Sequence, residues 1–373
     1  MIIENIHSGT PTDKRAAMFF KTEPFYTDVN QYVHTNNWEI IQSIKLLNSK
    51  GYIVDLIDRG VSNWVPKHKY DLFLGLGVGN TGRHFARYSK LSSAPKSILL
   101  AMGPQPDISN ERTIARYDFF NQRTGNNAPA MRTVTEVVGD KYLEMVSEAD
   151  FIFSIGDKGT QSYNSFLSSN LPVLNFYPST SPKITFNLQW VEQRKRNSFL
   201  CFAGNGFICK GVDLVLEAFL KDQTKELHIC GPRSESIFFE HYGEEIEKAP
   251  NITYHGFIEP GGESFNTLAA RCSYVVFHSA SEGCCTSVAT AMRAGLVPII
   301  NSWTGINVEG IGIQLAEGGD IIQTIKDETD KASLIGAKEY STMVTNTLRK
   351  AQKFSQESFT QSYSEALDCV IAS

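Results

Sequence analysis

Tyr274-Val275-Val276-Phe277-His278-Ser279-Ala280-Ser281-Glu282-Gly283-Cys284-Cys285-Thr286-Ser287 is the stretch that decides the fold. Its first six residues read as a buried strand, and the next eight as a loop. Val288 to Gly295 then reads as a helix closed by glycine, and Val297-Pro298-Ile299-Ile300 as the next strand. Strands that are apolar along their length, alternating with helices, belong to a parallel sheet covered on both faces. A carboxylate at the end of such a strand, beside a helix N-terminus, lies where open α/β sheets collect ligands. The helix dipole favours its ionised form. Glu282 can there accept hydrogen bonds from sugar hydroxyls, while neighbouring backbone N–H groups donate to others. The competing reading makes Glu282 a helix-capping acid.

The same rhythm extends in both directions. After residue 197, strands are expected at Phe199 to Ala203, Leu227 to Cys230, Ile252 to Tyr254 and Gly312 to Leu315, besides the two above. Helical stretches are expected at about 211–221, 234–248, 264–272, 286–294 and 320–334. Before residue 178, strands are expected at Ala16 to Phe20, Tyr52 to Ile57, Asp71 to Leu76, Ser97 to Met102, Phe151 to Ile155 and Val173 to Phe176. Residues 36 to 49 carry helical apolar spacing. The pattern predicts two doubly wound α/β domains in tandem. Pro178-Ser179-Thr180-Ser181-Pro182 punctuates the boundary, and Arg194-Lys195-Arg196 reads as a solvated linker face.

A second motif is Phe202-Ala203-Gly204-Asn205-Gly206-Phe207-Ile208-Cys209-Lys210-Gly211, again between a strand and a helix. Glycines allow an anion to approach the backbone, and a lysine ammonium neutralises phosphate charge. The competing reading is a glycine turn with a surface lysine. A third cluster, Gly75 to Gly82, places Gly77, Gly79 and Gly82 in the G-x-G-x-x-G dinucleotide spacing. Two features oppose a dinucleotide. The cluster follows the third strand and not the first, and the next strand lacks the terminal acid that would hold a ribose, Asp107 being the first acid there. Gly77, Gly79 and Asn80 are therefore expected to form a tight, ligand-facing turn, the competing reading being a purely structural turn.

Composition narrows the function. The 373 residues are 42% hydrophobic and 20% charged, as in an ordinary globular protein. The net charge of -5, from 35 basic and 40 acidic residues, speaks against a nucleic-acid binder. No apolar run approaches the ~20 residues that span a bilayer, and no signal peptide is seen at the start. All seven cysteines follow residue 200 without a C-x-x-C pair, which fits a reduced, cytoplasmic protein. His228, His255 and His278 show no ligand spacing, so no metal site is expected.

Taken in order, the motifs over about 198–317 resemble the retaining glycosyltransferases of family 4, which have the GT-B fold. The resemblance is carried by Phe202-Ala203-Gly204 with the run Lys210 to Phe219, by Leu227-His228-Ile229-Cys230-Gly231, by Ile252 to Phe257, and by Ser281 to Ile300. In the first half it is architectural, with Ala149 to Gly156 the part most alike. It implies two Rossmann-like domains facing a cleft: residues 1–182 on the acceptor side, joined by a C-terminal helix at about 355–373, and residues 183–354 binding a nucleotide-diphosphate sugar. Glu282 would be catalytic and contact the transferred sugar. Gly204, Asn205, Gly206, Lys210 and Arg233 would line the donor diphosphate, and Gly256 and Phe257 would flank the base. Backbone near Gly283, Cys284 and Cys285 would help hold the sugar. Thr290 stands where the family has a second acid on the ribose, Asn205 where it usually has arginine, and Met102-Gly103-Pro104 where a histidine is expected.

The resemblance implies a hexosyltransferase that retains configuration, with a nucleotide-sugar donor, a glycan or other acceptor, no cofactor and no metal. No nucleic-acid partner is expected, and nothing in the sequence indicates membrane contact. Two other readings stay open: a nucleotide-sugar-binding protein without catalysis, and a dinucleotide-dependent oxidoreductase using the first glycine cluster.

Overall fold

The computed structural model describes residues 1–7, 9, 12–28, 34–77, 83–130, 134–167 and 171–373. The chain divides into two compact units. The first comprises Met1–Asn110, Thr133–Ser179 and Gln356–Ser373, and the second Glu111–Arg132 and Thr180–Ser355.

The first unit is built on the strands β1 (Ile2–Ile6), β2 (Arg15–Phe20), β3 (Ile53–Asp58), β4 (Leu72–Leu76), β5 (Ser97–Ala101), β6 (Phe151–Ile155) and β7 (Val173–Phe176). They lie in the order β1-β3-β2-β4-β5-β6-β7, parallel except for β1. Strand β1 escapes the sequence pattern because it is a mostly exposed antiparallel edge whose apolar residues are interrupted by Glu4 and Asn5. The central strands are apolar runs because both faces are covered: Ala17, Phe19, Leu56, Phe73 and Leu99 are fully buried. Helices α1 (Thr35–Ser49), α2 (Phe85–Ser92), the start of α3 (Pro106–Thr124), α4 (Asp140–Val146) and α5 (Gly156–Phe166) complete the unit with the closing helix Gln356–Ala372. Phe359 and Tyr363 of that closing helix pack edge-on against Phe176 at 5.9 and 5.4 Å between ring centres.

The second unit contains helix α6 (Gln189–Gln193), strand β8 (Lys195–Phe202), α7 (Val212–Leu220), β9 (Glu226–Cys230), α8 (Ser236–Lys248), β10 (Ile252–Tyr254), α9 (Glu263–Arg271), β11 (Cys272–Phe277), α10 (Thr286–Arg293), β12 (Val297–Asn301), β13 (Ile313–Leu315), α11 (Ile321–Ser333) and α12 (Ala337–Ala351). Its all-parallel sheet runs β10-β9-β8-β11-β12-β13. Read from β8, this is the 3-2-1-4-5-6 order of the doubly wound fold, and its direction reverses between β8 and β11. Both units are thus the Rossmann-like α/β sheets expected from the sequence.

The expectation for Arg194-Lys195-Arg196 is corrected. Lys195 opens β8, and Arg194 is 3% exposed. Its guanidinium donates to the carbonyls of Ala269 (3.0 Å), Ala294 (2.7 Å) and Gly295 (2.6 Å). Arginine's fork of donors satisfies three carbonyls at once, which makes burial tolerable. Among the described residues, no helix is long and apolar enough to cross a membrane.

Candidate active site

The reversal point of the second sheet lies between the carboxyl ends of β8 and β11, where such sheets form a ligand crevice. Lys210 follows β8 and Glu282 follows β11, and the two side chains form an ion pair. Lys210 is largely buried, whereas Glu282 keeps a quarter of its side chain exposed. The capping reading of Glu282 falls away: α10 starts at Thr286 and its N-cap residue is Cys285.

The two loops are tied through the backbone. Ala280 N–H donates to the Cys209 carbonyl at 2.8 Å, next to Lys210. Gly211 caps α7 with φ +71°, and a Cβ there would lie 2.2 Å from the His278 carbonyl oxygen. A third segment backs the glutamate loop. Glu282 N–H donates to the Trp303 carbonyl (2.9 Å), and Cys285 N–H to the Thr304 carbonyl (2.7 Å). Gly305, at φ +77°, approaches Gly283 so closely that a Cβ would be 2.1 Å from its oxygen.

The remaining expected site residues fall at different distances from this pair. Gly204 and Gly206 form the turn after β8, and Gly206 has φ +82°. Asn205 is exposed, and its side-chain oxygen accepts from Ser234 Oγ at 2.9 Å. Arg233, after β9, is exposed with its guanidinium 4.8 Å from the Phe239 ring centre. Gly256 joins that loop through its carbonyl, which accepts from Gly231 N–H at 2.8 Å. Phe257 beside it is 54% exposed, an unusual state for so large an apolar ring.

Three of the expected site residues are held by packing. Cys285 has its N–H taken by Thr304, and burial, the largest cause, pushes its thiol up to about 11. Thr290 is 2% exposed inside α10, so it lines no open surface, because that helix face packs into the core. In the first unit, Gly77 is required by packing: a Cβ would lie 2.2 Å from Leu99 Cγ. Gly79 and Asn80 lie outside the described residues, as does Gly82. Cys284 is buried, like Gly283.

Sequence reasoning missed α3. From Glu111 on, this helix belongs to the second unit and lays three arginines on it. Arg112 donates to the Ala280 carbonyl (2.7 Å) and to Glu317 (2.8 Å), and lies 4.1 Å from the Trp303 ring centre. Arg116 holds His278, and Arg123 pairs with Asp213 and Glu217. Tyr117 donates to Glu235 at 2.7 Å, and the other oxygen of Glu235 accepts from Ile208 N–H at 3.0 Å. The spacing of Arg112, Arg116 and Arg123 on one helix face was the available signal. His228 Nδ1 and His255 Nε2 lie 3.0 Å apart, and burial draws His228 down to about 4. Among the described residues, no group of three or more His, Cys, Asp or Glu side chains could hold a metal.

Residues 185–313 match the family model for glycosyl transferases, group 1. This group 1 segment is about a third of the chain, and it contains Lys210, Glu282 and the sheet from β8 into β13. No curated protein matches the chain. Solved structures do. Sucrose-phosphate synthase from Thermosynechococcus elongatus matches with a TM-score of 0.69 at 11% identity, over 96% of this chain and 100% of that one. Anabaena Alr3699/HepE, solved with UDP and glucose, gives 0.62 at 13% identity, over 95% and 100%. WaaG, a glycosyltransferase involved in lipopolysaccharide biosynthesis, gives 0.58 at 14% identity, over 95% and 99%. At these identities the likeness is one of fold, and the fold class is GT-B, with two parallel-sheet α/β units.

Proposed function

We propose that this chain is a glycosyltransferase that moves a hexose from a nucleotide-diphosphate sugar to a glycan or other acceptor, with retention of configuration. The observation that carries the reading is the meeting of Lys210 and Glu282 at the reversal point of the second sheet, inside the group 1 segment. In the structure the two charges satisfy each other. A nucleotide-sugar offers both a better partner: its diphosphate takes the ammonium, and its sugar hydroxyls take the carboxylate.

Transfer breaks the bond between the anomeric carbon and the diphosphate. Negative charge grows on the leaving phosphate, and Lys210 with the nearby helix N-terminus of α7 stabilises it. Glu282 orients the sugar and offsets the positive charge that develops on it. In the retaining course the leaving phosphate accepts the proton of the incoming hydroxyl, so this chain needs no separate base. Lys210 supplies the cation at the diphosphate, and the reading assigns no metal.

A second reading is favoured by Asn205 and by the burial of Thr290: a nucleotide-sugar-binding protein without turnover. One experiment separates them. UDP, GDP and ADP are titrated by calorimetry, and UDP- and GDP-hexoses are incubated with a panel of glycan acceptors, with the product anomer assigned by NMR. Transfer with the donor's configuration supports the first reading. Binding without transfer from any donor supports the second. An inverted product overturns retention, and failure to bind any nucleotide overturns both.

A further inference from the structure

The buried guanidinium of Arg116 has no part in the steps above. Arg116 is 6% exposed and, among the described residues, forms no ion pair; Asp213 acts on it only through space. Nη1 donates to the His278 carbonyl and Nη2 lies against His278 Nδ1, each at 2.8 Å. A guanidinium only donates, so Nδ1 accepts and carries no proton. The ring proton is then on Nε2, which donates to the Ala316 carbonyl at 3.1 Å. His278 is held from both edges in one neutral tautomer. Burial first, and the Arg116 charge second, draw its pKa down to about 4.

We propose that Arg116 is a positioning residue: by gripping His278 it sets the placement of Lys210 relative to Glu282. The proposal rests on the transferase reading. His278 lies four residues before Glu282, at the point where β11 gives way to the loop. Gly211, next to Lys210, fits against the same clamp, since a Cβ there would lie 2.2 Å from the His278 oxygen and 2.6 Å from Arg116 Nη1. The backbone tie from Ala280 to Cys209 closes the ring on the other side of Lys210, and Arg112 grips the Ala280 carbonyl. An apolar side chain could fill the space without burying a charge. The charge is therefore explained by the two acceptors it holds in register. Arg116 lies outside residues 185–313, so the group 1 segment takes this part of its geometry from α3.

The test uses the full chain, with UDP and GDP as calorimetric probes. Wild type is compared with Lys210→Ala, Arg116→Met, Arg116→Lys and Arg194→Met. The last strips a buried guanidinium from three carbonyls elsewhere in the same unit and controls for lost stability. For the diphosphate that Lys210→Ala weakens, Arg116→Met is expected to lose about 5- to 20-fold in affinity, as displaced binding groups do. Arg116→Lys, which can hold one acceptor, loses less, and Arg194→Met stays within about twofold. Arg116 variants that bind like Arg194→Met overturn the proposal and leave the transferase reading standing. A Lys210→Ala protein that binds both diphosphates like wild type overturns the reading itself. A readout without any variant stands beside these: ¹⁵N NMR of wild-type His278 is expected to show an unprotonated Nδ1 and a protonated Nε2 at pH 7. An Nδ1–H tautomer or an imidazolium there overturns the clamp, whether or not the Arg116 variants fold.

Discussion

Lys210 and Glu282 stand 72 positions apart in sequence and form one ion pair at the carboxyl ends of β8 and β11. The cation proposed to serve a diphosphate is partnered by a carboxylate in the structure. Each half of the pair can therefore be tested by what its removal does to the other.

Lys210→Ala removes the ammonium and leaves Glu282 facing any bound phosphate. Affinity for the preferred nucleoside diphosphate should fall by roughly 1.5–3 kcal/mol, the scale of a charge-assisted hydrogen bond, or about 10- to 100-fold. Isothermal titration calorimetry measures it, and unchanged affinity removes Lys210 from the site and with it the observation that carries the transferase reading.

Glu282→Gln keeps size and removes the negative charge facing Lys210. Binding of the bare diphosphate should then stay within about threefold of wild type or tighten, while sugar transfer falls by roughly 10²-fold or more. A stable variant with full transfer activity would sink the role given to Glu282. The two substitutions combined should be markedly non-additive, as expected of groups in contact.

Gly211→Ala tests the backbone under the pair. The residue sits at φ +71°, and its Cβ would meet the His278 carbonyl at 2.2 Å. Loss of stability should be at least about 1–3 kcal/mol, read from denaturant unfolding. A variant as stable as wild type would show that the loop relaxes freely.

Glu39 predicts a pH dependence in the first unit. Its carboxylate is buried on α1 and accepts from Ser179 N–H (2.7 Å) and Ser179 Oγ (3.0 Å). Burial is the main cause that pushes its pKa from 4.5 up to about 7. The folded state therefore holds this proton more tightly than the unfolded state. The stabilisation is complete below about pH 4.5 and is lost as pH rises through about 7, a swing of about 3 kcal/mol. Glu39→Gln, which cannot ionise, should gain on wild type in thermal midpoint between pH 5 and pH 8. A difference that is flat across that range would refute it.

Much of the second unit was legible because its strands are covered on both faces, so each appears as an uninterrupted apolar run. The loops bearing Lys210 and Glu282 could be named from strand–glycine–helix order, but their pairing could not, since it depends on which strands become neighbours. Helix α3 stayed hidden for a different reason. Part of its buried face is made of Arg112, Arg116 and Arg123, so hydrophobic periodicity does not mark it. The same blindness to buried cations sent Arg194 to a solvated linker. Thr290 shows the converse: a motif position can be located by register while its exposure depends on packing.

The closing helix Gln356–Ala372 has a consequence for the order of folding. The seven strands of the first sheet are complete once Phe176 has been made, yet Phe359 and Tyr363, which cover Phe153 and Phe176, follow only after the entire second unit. At ~5–20 residues per second, the roughly 180 intervening residues take about 10–40 s to synthesise. Throughout that interval the aromatic rings of Phe153 and Phe176 are without the cover that Phe359 and Tyr363 give them in the folded chain.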